Sequence, residues 1–501
     1  MHDALQAWLK TANATSDPLR AAEAAARAVS QDPWSVVRDA GSLARSQLAR
    51  SETSFGITAS LTRVSATHPS ALATVSEGDV YPAFDGPGRK RRGAFDTPIE
   101  MARATVSAAL LAASRPIERA VDPACGSGAF LLALSERVDC EIVGIDLDPI
   151  AAAVAAVAVP QASIVIGDGL RHRAPCDLLV GNPPFIAPEH QNKAVRARLR
   201  RAMPWLSGRF DLAVPFAAQA VECVRERGGV GLVLPESIMH QPYAKPLRLD
   251  WLSRHAISHL SHSMPFPGAQ VGVVSVGLSI GGGPARLPSG IEASAVCGLP
   301  AAPLHPSLQP GDPELIRQIR SASRPLGDFA TIDTGVVSHG SHGSKRVLLH
   351  DTPAPTRVPY VDARDLIANR TRWLDYRPET MHRAKTPELF EHPKVLVQRI
   401  RGRGAIRAWV DRSGLYAGHT LTVVRPDRAS LSPEAIQALI TDPLIDGLIR
   451  MERGSRLDLY PRDVRSIPVP LCWLTGDTPR LSRAFGLSDS QVERILDFGH
   501  E

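Results

Sequence analysis

Leu178-Leu179-Val180-Gly181 is an apolar run that cannot continue as a strand beyond Asn182, because Pro183 and Pro184 fix φ and bring no amide hydrogen to a sheet. The chain must leave the sheet at a stiff corner, Asn182-Pro183-Pro184-Phe185. At that edge Asn182 carries a side-chain oxygen and an NH2 group, and the main-chain oxygen of Pro183 is a second acceptor. Two converging acceptors suit a planar amine with two hydrogens. Phe185 adds a flat apolar face on which a ring can stack.

The residues before this corner alternate strand-like and helix-like pieces. A helix is expected from near Ile99, with Ala102, Val106, Ala109 and Leu110 at helical spacing and Asp96 or Thr97 as its cap. The strand Arg119-Ala120-Val121 leads into Asp122-Pro123-Ala124-Cys125-Gly126-Ser127-Gly128, whose small residues let a ligand approach the main chain at a strand-to-helix turn. The next strand, Glu141 to Ile145, ends in Asp146-Leu147, the interval at which an acidic residue meets ribose hydroxyls. Gly126 and Gly128 are followed by Phe130 rather than a third glycine, which favours a nucleoside over a dinucleotide. Strand Ser163 to Ile166 puts Asp168 at the same edge, either to accept from an exocyclic amine or to cap the following turn. The expected fold class is α/β: a Rossmann-like domain over 86–285, preceded by a helical extension (1–85), followed by a Gly/Pro-rich linker (286–324) and a mixed α/β domain (325–501).

Composition narrows the setting. Hydrophobic and charged contents of 44% and 22% are those of a soluble globular chain, and the net charge of +6 is modest. No apolar run approaches the roughly twenty residues that cross a bilayer, and no basic-then-apolar leader opens the sequence, so a cytoplasmic protein is expected. Six scattered cysteines without a Cys-x-x-Cys pair indicate neither a zinc site nor a disulfide framework, and no metal is expected.

Taken in order, the segment Gly93 to Pro98, the 122–128 loop, Asp146, Asp168 and Asn182-Pro183-Pro184-Phe185 resemble the motifs of gamma-class DNA adenine-N6 methyltransferases. Phe210-Asp211-Leu212, the helix from Ala213, Gly228-Gly229, the strand to Leu234 with Pro235-Glu236-Ser237, and His262 to Leu278 resemble the later ones. The family's tetrapeptide usually ends in Tyr; Phe185 keeps the face and lacks the hydroxyl. The resemblance implies S-adenosyl-L-methionine as cofactor, bound by Thr97, Asp122, Ala124, Gly126, Gly128, Asp146, Leu147, Asp168 and Asn182. It implies that Asn182 and the Pro183 carbonyl hold the amino group of an adenine flipped out of double-stranded DNA, with Phe185 on one side and Phe266 as the candidate second wall. A separate cognate restriction endonuclease is an expected partner.

In the last third, Lys394 to Gly404 turns from strand-like to strongly basic, and Arg399, Arg401, Arg403 and Arg407 are the expected DNA contacts. This half resembles the family's target-recognition domain, notably in Tyr416-Ala417-Gly418-His419-Thr420-Leu421. Similar tetrapeptides serve RNA guanine-N2 and protein glutamine methyltransferases, and a catalytically silent nucleic-acid-binding subunit is a third alternative. The Thr97-Pro98 segment, the basic second domain and the intact Asn182 and Phe185 favour the DNA enzyme.

Overall fold

The computed structural model describes residues 97–147, 149–263, 272–283, 286–337, 348–381, 383–400, 404–427, 431–454 and 458–498. The expected extension 1–85, the cap candidate Asp96, Phe266, Arg401 and Arg403 lie outside the described residues. The chain forms two units that meet in sequence between Pro310 and Gly311. None of the described helices is long and apolar enough to cross a membrane.

The first unit is built on seven strands: β1 (Arg119–Asp122), β2 (Glu141–Asp146), β3 (Ser163–Ile166), β4 (Cys176–Gly181), β5 (Val224–Pro235), β6 (Ala256–Ser263) and β7 (Val273–Ser279). Their order is β3-β2-β1-β4-β5-β7-β6. The first five run parallel, and β7 enters antiparallel between β5 and β6. β1 and β4 are adjacent, yet the chain winds away from β1 in both directions, so this pair is the switch point of the sheet, where the loops leave a crevice at the carboxyl ends. The sequence sends both the glycine-rich turn and the proline corner to that crevice.

The helices cover the sheet for reasons legible in their spacing. Helix α1 (Ile99–Ala112) buries Ile99, Ala102, Val106 and Ala109 in one apolar stripe. Pro98 takes its N-cap position with no side-chain cap, so the expected capping by Thr97 does not occur. Helices α2 (Ala129–Ser135), α3 (Pro149–Ala158), α4 (Lys193–Ala202), α5 (Ala213–Cys223) and α6 (Lys245–Arg254) follow. The core joins α1 to the sheet through Val106, Ala120, Phe130, Leu131, Leu178 and Val180, all under 3% exposed.

The 286–324 stretch, expected as a linker, is instead folded at both ends. Leu287, Ile291, Val296, Leu299 and Leu304 are buried, and Asp312–Ser321 is a helix of the second unit. The fully buried Arg248 of α6 is the reason the first part stays down. Its guanidinium donates to the carbonyls of Ile238, Gln241, Ala301 and Ala302 at 2.6–2.9 Å. Burial lowers its pKa to about 9, which leaves it charged at neutral pH.

The second unit holds two four-stranded sheets. One joins Leu349–His350, Arg372–Asp375, Arg357–Val361 and Tyr416–Ala417; the other joins Ala408–Asp411, Lys394–Gln398, Leu421–Pro426 and Ala330–Thr334. A short antiparallel pair, Ser323–Pro325 with Pro468–Pro470, adds to them. Lys394 and Asp411 form a buried ion pair across neighbouring strands of the second sheet.

Candidate functional site

The site is assembled at the carboxyl ends of β1 to β4. β1 and β4 pair in register Ala120 with Leu178 and Val121 with Leu179, which brings the turn after Asp122 beside the corner after Gly181. A side chain at Gly181 would sit 2.8 Å from Asp122 Oδ1 and 3.7 Å from Pro123, so only glycine allows the two strand ends this close.

Asp122 is fully buried beneath the turn and accepts the Ala124 amide at 3.0 Å. Its Oδ2 is buried with no hydrogen-bond partner among the described residues. Burial pushes its pKa up to about 8, against the Ala124 amide and with help from the Asp146 charge, which favours the protonated carboxyl. It therefore organises the turn from below. Ala124 and Gly126 are the half-exposed members of that turn. Gly126 and Gly128 adopt φ of +54° and +95°, and Gly128 is the N-cap of α2.

Asp146 closes the turn from the side: its Oδ2 accepts the Gly126 amide at 2.8 Å, and the Cys125 amide reaches the Ile145 carbonyl at 2.9 Å. Leu147 follows it, half-exposed. Asp168 takes the capping role, one of the two expected for it. Its Oδ1 accepts the Leu170 amide at 3.0 Å as the cap of a 3-10 turn, and its Oδ2 receives Arg198 of α4 at 2.5 Å. An Arg198 clamp is not legible in the sequence, since the two residues are thirty positions apart.

The corner itself keeps its expected form. β4 ends at Gly181, Pro183 is buried, and Asn182 and Phe185 are half-exposed. Phe185 packs against the same core that α1 and β4 share. The Asn182 amide nitrogen donates to Thr97 Oγ1 at 3.0 Å. Thr97 thus touches Asn182 directly, an interaction that no motif announces. The hydrogen bond holds the plane of the amide against Thr97 and leaves its oxygen at the opposite edge.

Two further residues hold the corner. Gln191 is buried, and its Nε2 donates to the carbonyls of Ile186 and Phe210 at 2.8 and 2.7 Å, stapling the segment after the corner to the start of α5. Asp211 accepts the Ala213 amide at 2.9 Å, and burial pushes it up to about 6. The Phe210-Asp211-Leu212 motif points to this segment; nothing in the sequence marks Gln191.

The rim around these residues fits a nucleoside-bearing cofactor. Thr97, Ala124, Gly126, Asp146, Leu147, Asp168 and Asn182 are all half-exposed along one sheet edge. An added Cβ at Gly126 or Gly167 meets nothing within 4 Å, so the main chain borders open room there.

In the second unit, Arg399 is half-buried: its Nη1 donates to the His419 carbonyl at 2.7 Å and its guanidinium lies 4.7 Å from the Tyr460 ring centre. Arg407 is exposed.

Comparison with known proteins follows the same geometry. Residues 173–265, which hold β4, the corner, α4, α5 and β5, match the model of the Eco57I restriction-modification methylase family. The chain is 25% identical over 348 residues to the Type II methyltransferase M.TthHB8I of Thermus thermophilus, across 64% of this chain and 77% of that protein. It is 31% identical over 72 residues to the Type II methyltransferase M.BstVI of Geobacillus stearothermophilus, but that match spans 13% of the relative's length. Among solved structures, the Type IIL restriction-modification enzyme MmeI, determined in complex with DNA, is similar in fold at a TM-score of 0.54 and 13% identity, over 83% of this chain and 70% of that one.

Proposed function

We propose, from the premise that this chain belongs with the restriction-modification methylases, that it is a site-specific DNA methyltransferase acting on the exocyclic N6 of an adenine turned out of the duplex. The observation that carries the reading is the pairing of the glycine-rich turn after β1 with the Asn182 corner after β4 at one switch point. S-adenosyl-L-methionine is the proposed cofactor, held by the rim from Thr97 to Asp168 and supplying an activated methyl group. Double-stranded DNA is the proposed substrate, and a separate restriction endonuclease the proposed companion.

An exocyclic adenine nitrogen is a poor nucleophile because its lone pair is delocalised into the ring. Asn182 Oδ1 and the Pro183 carbonyl accept its two hydrogens and draw the nitrogen toward tetrahedral geometry, which localises the lone pair. Thr97 steadies the Asn182 side chain in the corner, and Phe185 holds the base by its face. Because Pro183 and Pro184 are rigid, the acceptors need no rearrangement when charge develops, which is the condition under which fixed dipoles lower a barrier most. Asp122, buried under the turn, and Asp146 keep the cofactor side in shape.

The test is transfer of labelled methyl from S-adenosyl-L-methionine to DNA by the full chain, followed by nucleoside mass spectrometry. N6-methyladenine is expected, and Asn182→Ala abolishes it while leaving cofactor binding largely intact. Label in RNA guanine or in protein glutamine instead would overturn the reading.

A further inference from the structure

Helix α4, which starts eight residues after Phe185, reads Lys-Ala-Val-Arg-Ala-Arg-Leu-Arg-Arg-Ala and carries no acidic residue. Leu199 is its one buried position. Lys193, Arg196 and Arg200 fall at i, i+3 and i+4 steps, as do Arg198 and Arg201, and each such like-charge pair works against the helix. Attraction of Arg200 and Arg201 to the carboxyl end of the helix offsets part of this and leaves the first-turn lysine unexplained. Beside the helix lies a recess of about 250 Å3, lined by Arg171, Arg173 and Arg198 together with Leu199 and Met203. Those three guanidiniums share two carboxylates: Asp168, at 2.5 Å from Arg198 and 3.6 Å from Arg171, and Glu222, at 3.9 Å from Arg173. Lys193 and Arg201 are exposed and have no acidic partner among the described residues.

We propose that α4 and this recess form a docking surface for the phosphodiester backbone of substrate DNA, so that the catalytic unit grips the duplex itself, apart from the arginines of the second unit. The inference rests on the DNA-methyltransferase reading above. Charge complementarity selects the partner: from Lys193 to Arg201 the surface spreads its cations over about 12 Å of helix, the rise of about three to four nucleotides of one strand. A lipid surface does not suit it, since the exposed uncharged positions of α4 are alanines with nothing to insert. Gln191, immediately before the cap residue Asn192, ties this helix to the segment beyond Phe185, so a strand held on α4 is held in fixed relation to the corner.

The test uses the full chain and the variant Arg173→Ala/Lys193→Ala/Arg201→Ala, none of which belongs to the cofactor rim or the corner. Binding to a mixed-sequence DNA duplex is followed by fluorescence anisotropy over a range of KCl concentrations, with binding of S-adenosyl-L-methionine measured in parallel to report an intact fold. The slope of log K against log salt should become shallower by about 0.9 for each phosphate that is no longer neutralised, ~2.7 if all three side chains bind, with cofactor affinity unchanged. An unaltered slope and affinity would overturn the docking surface. So would inorganic phosphate saturating the recess without weakening DNA binding, which would assign it to a free anion, and so would a parent protein that prefers duplex RNA. A parent that binds no DNA even at low salt would overturn the underlying DNA reading instead.

Discussion

Replacing Thr97 with Val tests whether the 3.0 Å hydrogen bond from Asn182 serves the methyl transfer or merely lines the cofactor site. Val is close to Thr in volume and removes the hydroxyl, so the Asn182 amide loses one hydrogen bond that favours its placement in the corner. A neutral hydrogen bond of this kind contributes about 0.5–1.5 kcal/mol net, and if that preference is felt at the transition state the rate falls by about 2- to 13-fold. The loss should appear in single-turnover transfer at saturating DNA and cofactor, and Thr97→Ser, which restores a hydroxyl, should recover most of it. Cofactor dissociation constants measured in parallel separate the two roles. A Val variant that transfers at the parent rate once saturated, with only its cofactor affinity reduced, would refute the reasoning and return Thr97 to the cofactor alone.

Asp122 gives the protein a pH-dependent stability of known sign. Its folded pKa of about 8 lies above the ordinary 3.8, so between those values the unfolded chain ionises while the folded one stays protonated, and this carboxyl's contribution fades as pH rises through that window. Asp122→Asn keeps the acceptor for Ala124 and cannot ionise; its melting temperature should exceed the parent's by a margin that widens from pH 5 to 8, and a constant margin would contradict the assignment. Arg248→Met leaves four carbonyls, three of them buried, without their donor and should cost about 3 kcal/mol or more in urea unfolding, a large share of a domain's stability; a loss under about 1 kcal/mol would show those carbonyls are satisfied otherwise.

The strands of the catalytic unit are legible because their ends are written in residues with one backbone meaning. Pro183 stops β4, the glycines after Asp122 stop β1, and the acidic ends of β2 and β3 follow at the expected intervals. Interactions between distant positions are not legible. Thr97 and Asn182 are 85 residues apart, and no local pattern signals their hydrogen bond. Asp168 is expected at the right edge, but its engagement by Arg198 depends on how α4 packs. The 286–310 stretch misleads for a different reason: its glycines and prolines read as a tether, and they outweigh the spaced apolar residues Leu287, Ile291, Val296, Leu299 and Leu304 that go inside. A buried arginine on another helix, satisfied by main-chain oxygens, supplies the fastening.

That fastening sets where the protein can be cut. A fragment ended at residue 285 would retain all seven strands and the whole corner, yet it would strip Arg248 of the Ala301 and Ala302 oxygens and uncover the side of α6 on which the short helix Ala293–Cys297, with its buried Val296, packs. Expression of the catalytic half by itself should therefore extend to Pro310, and the twenty-odd residues that look expendable on paper are the clasp that keeps it shut.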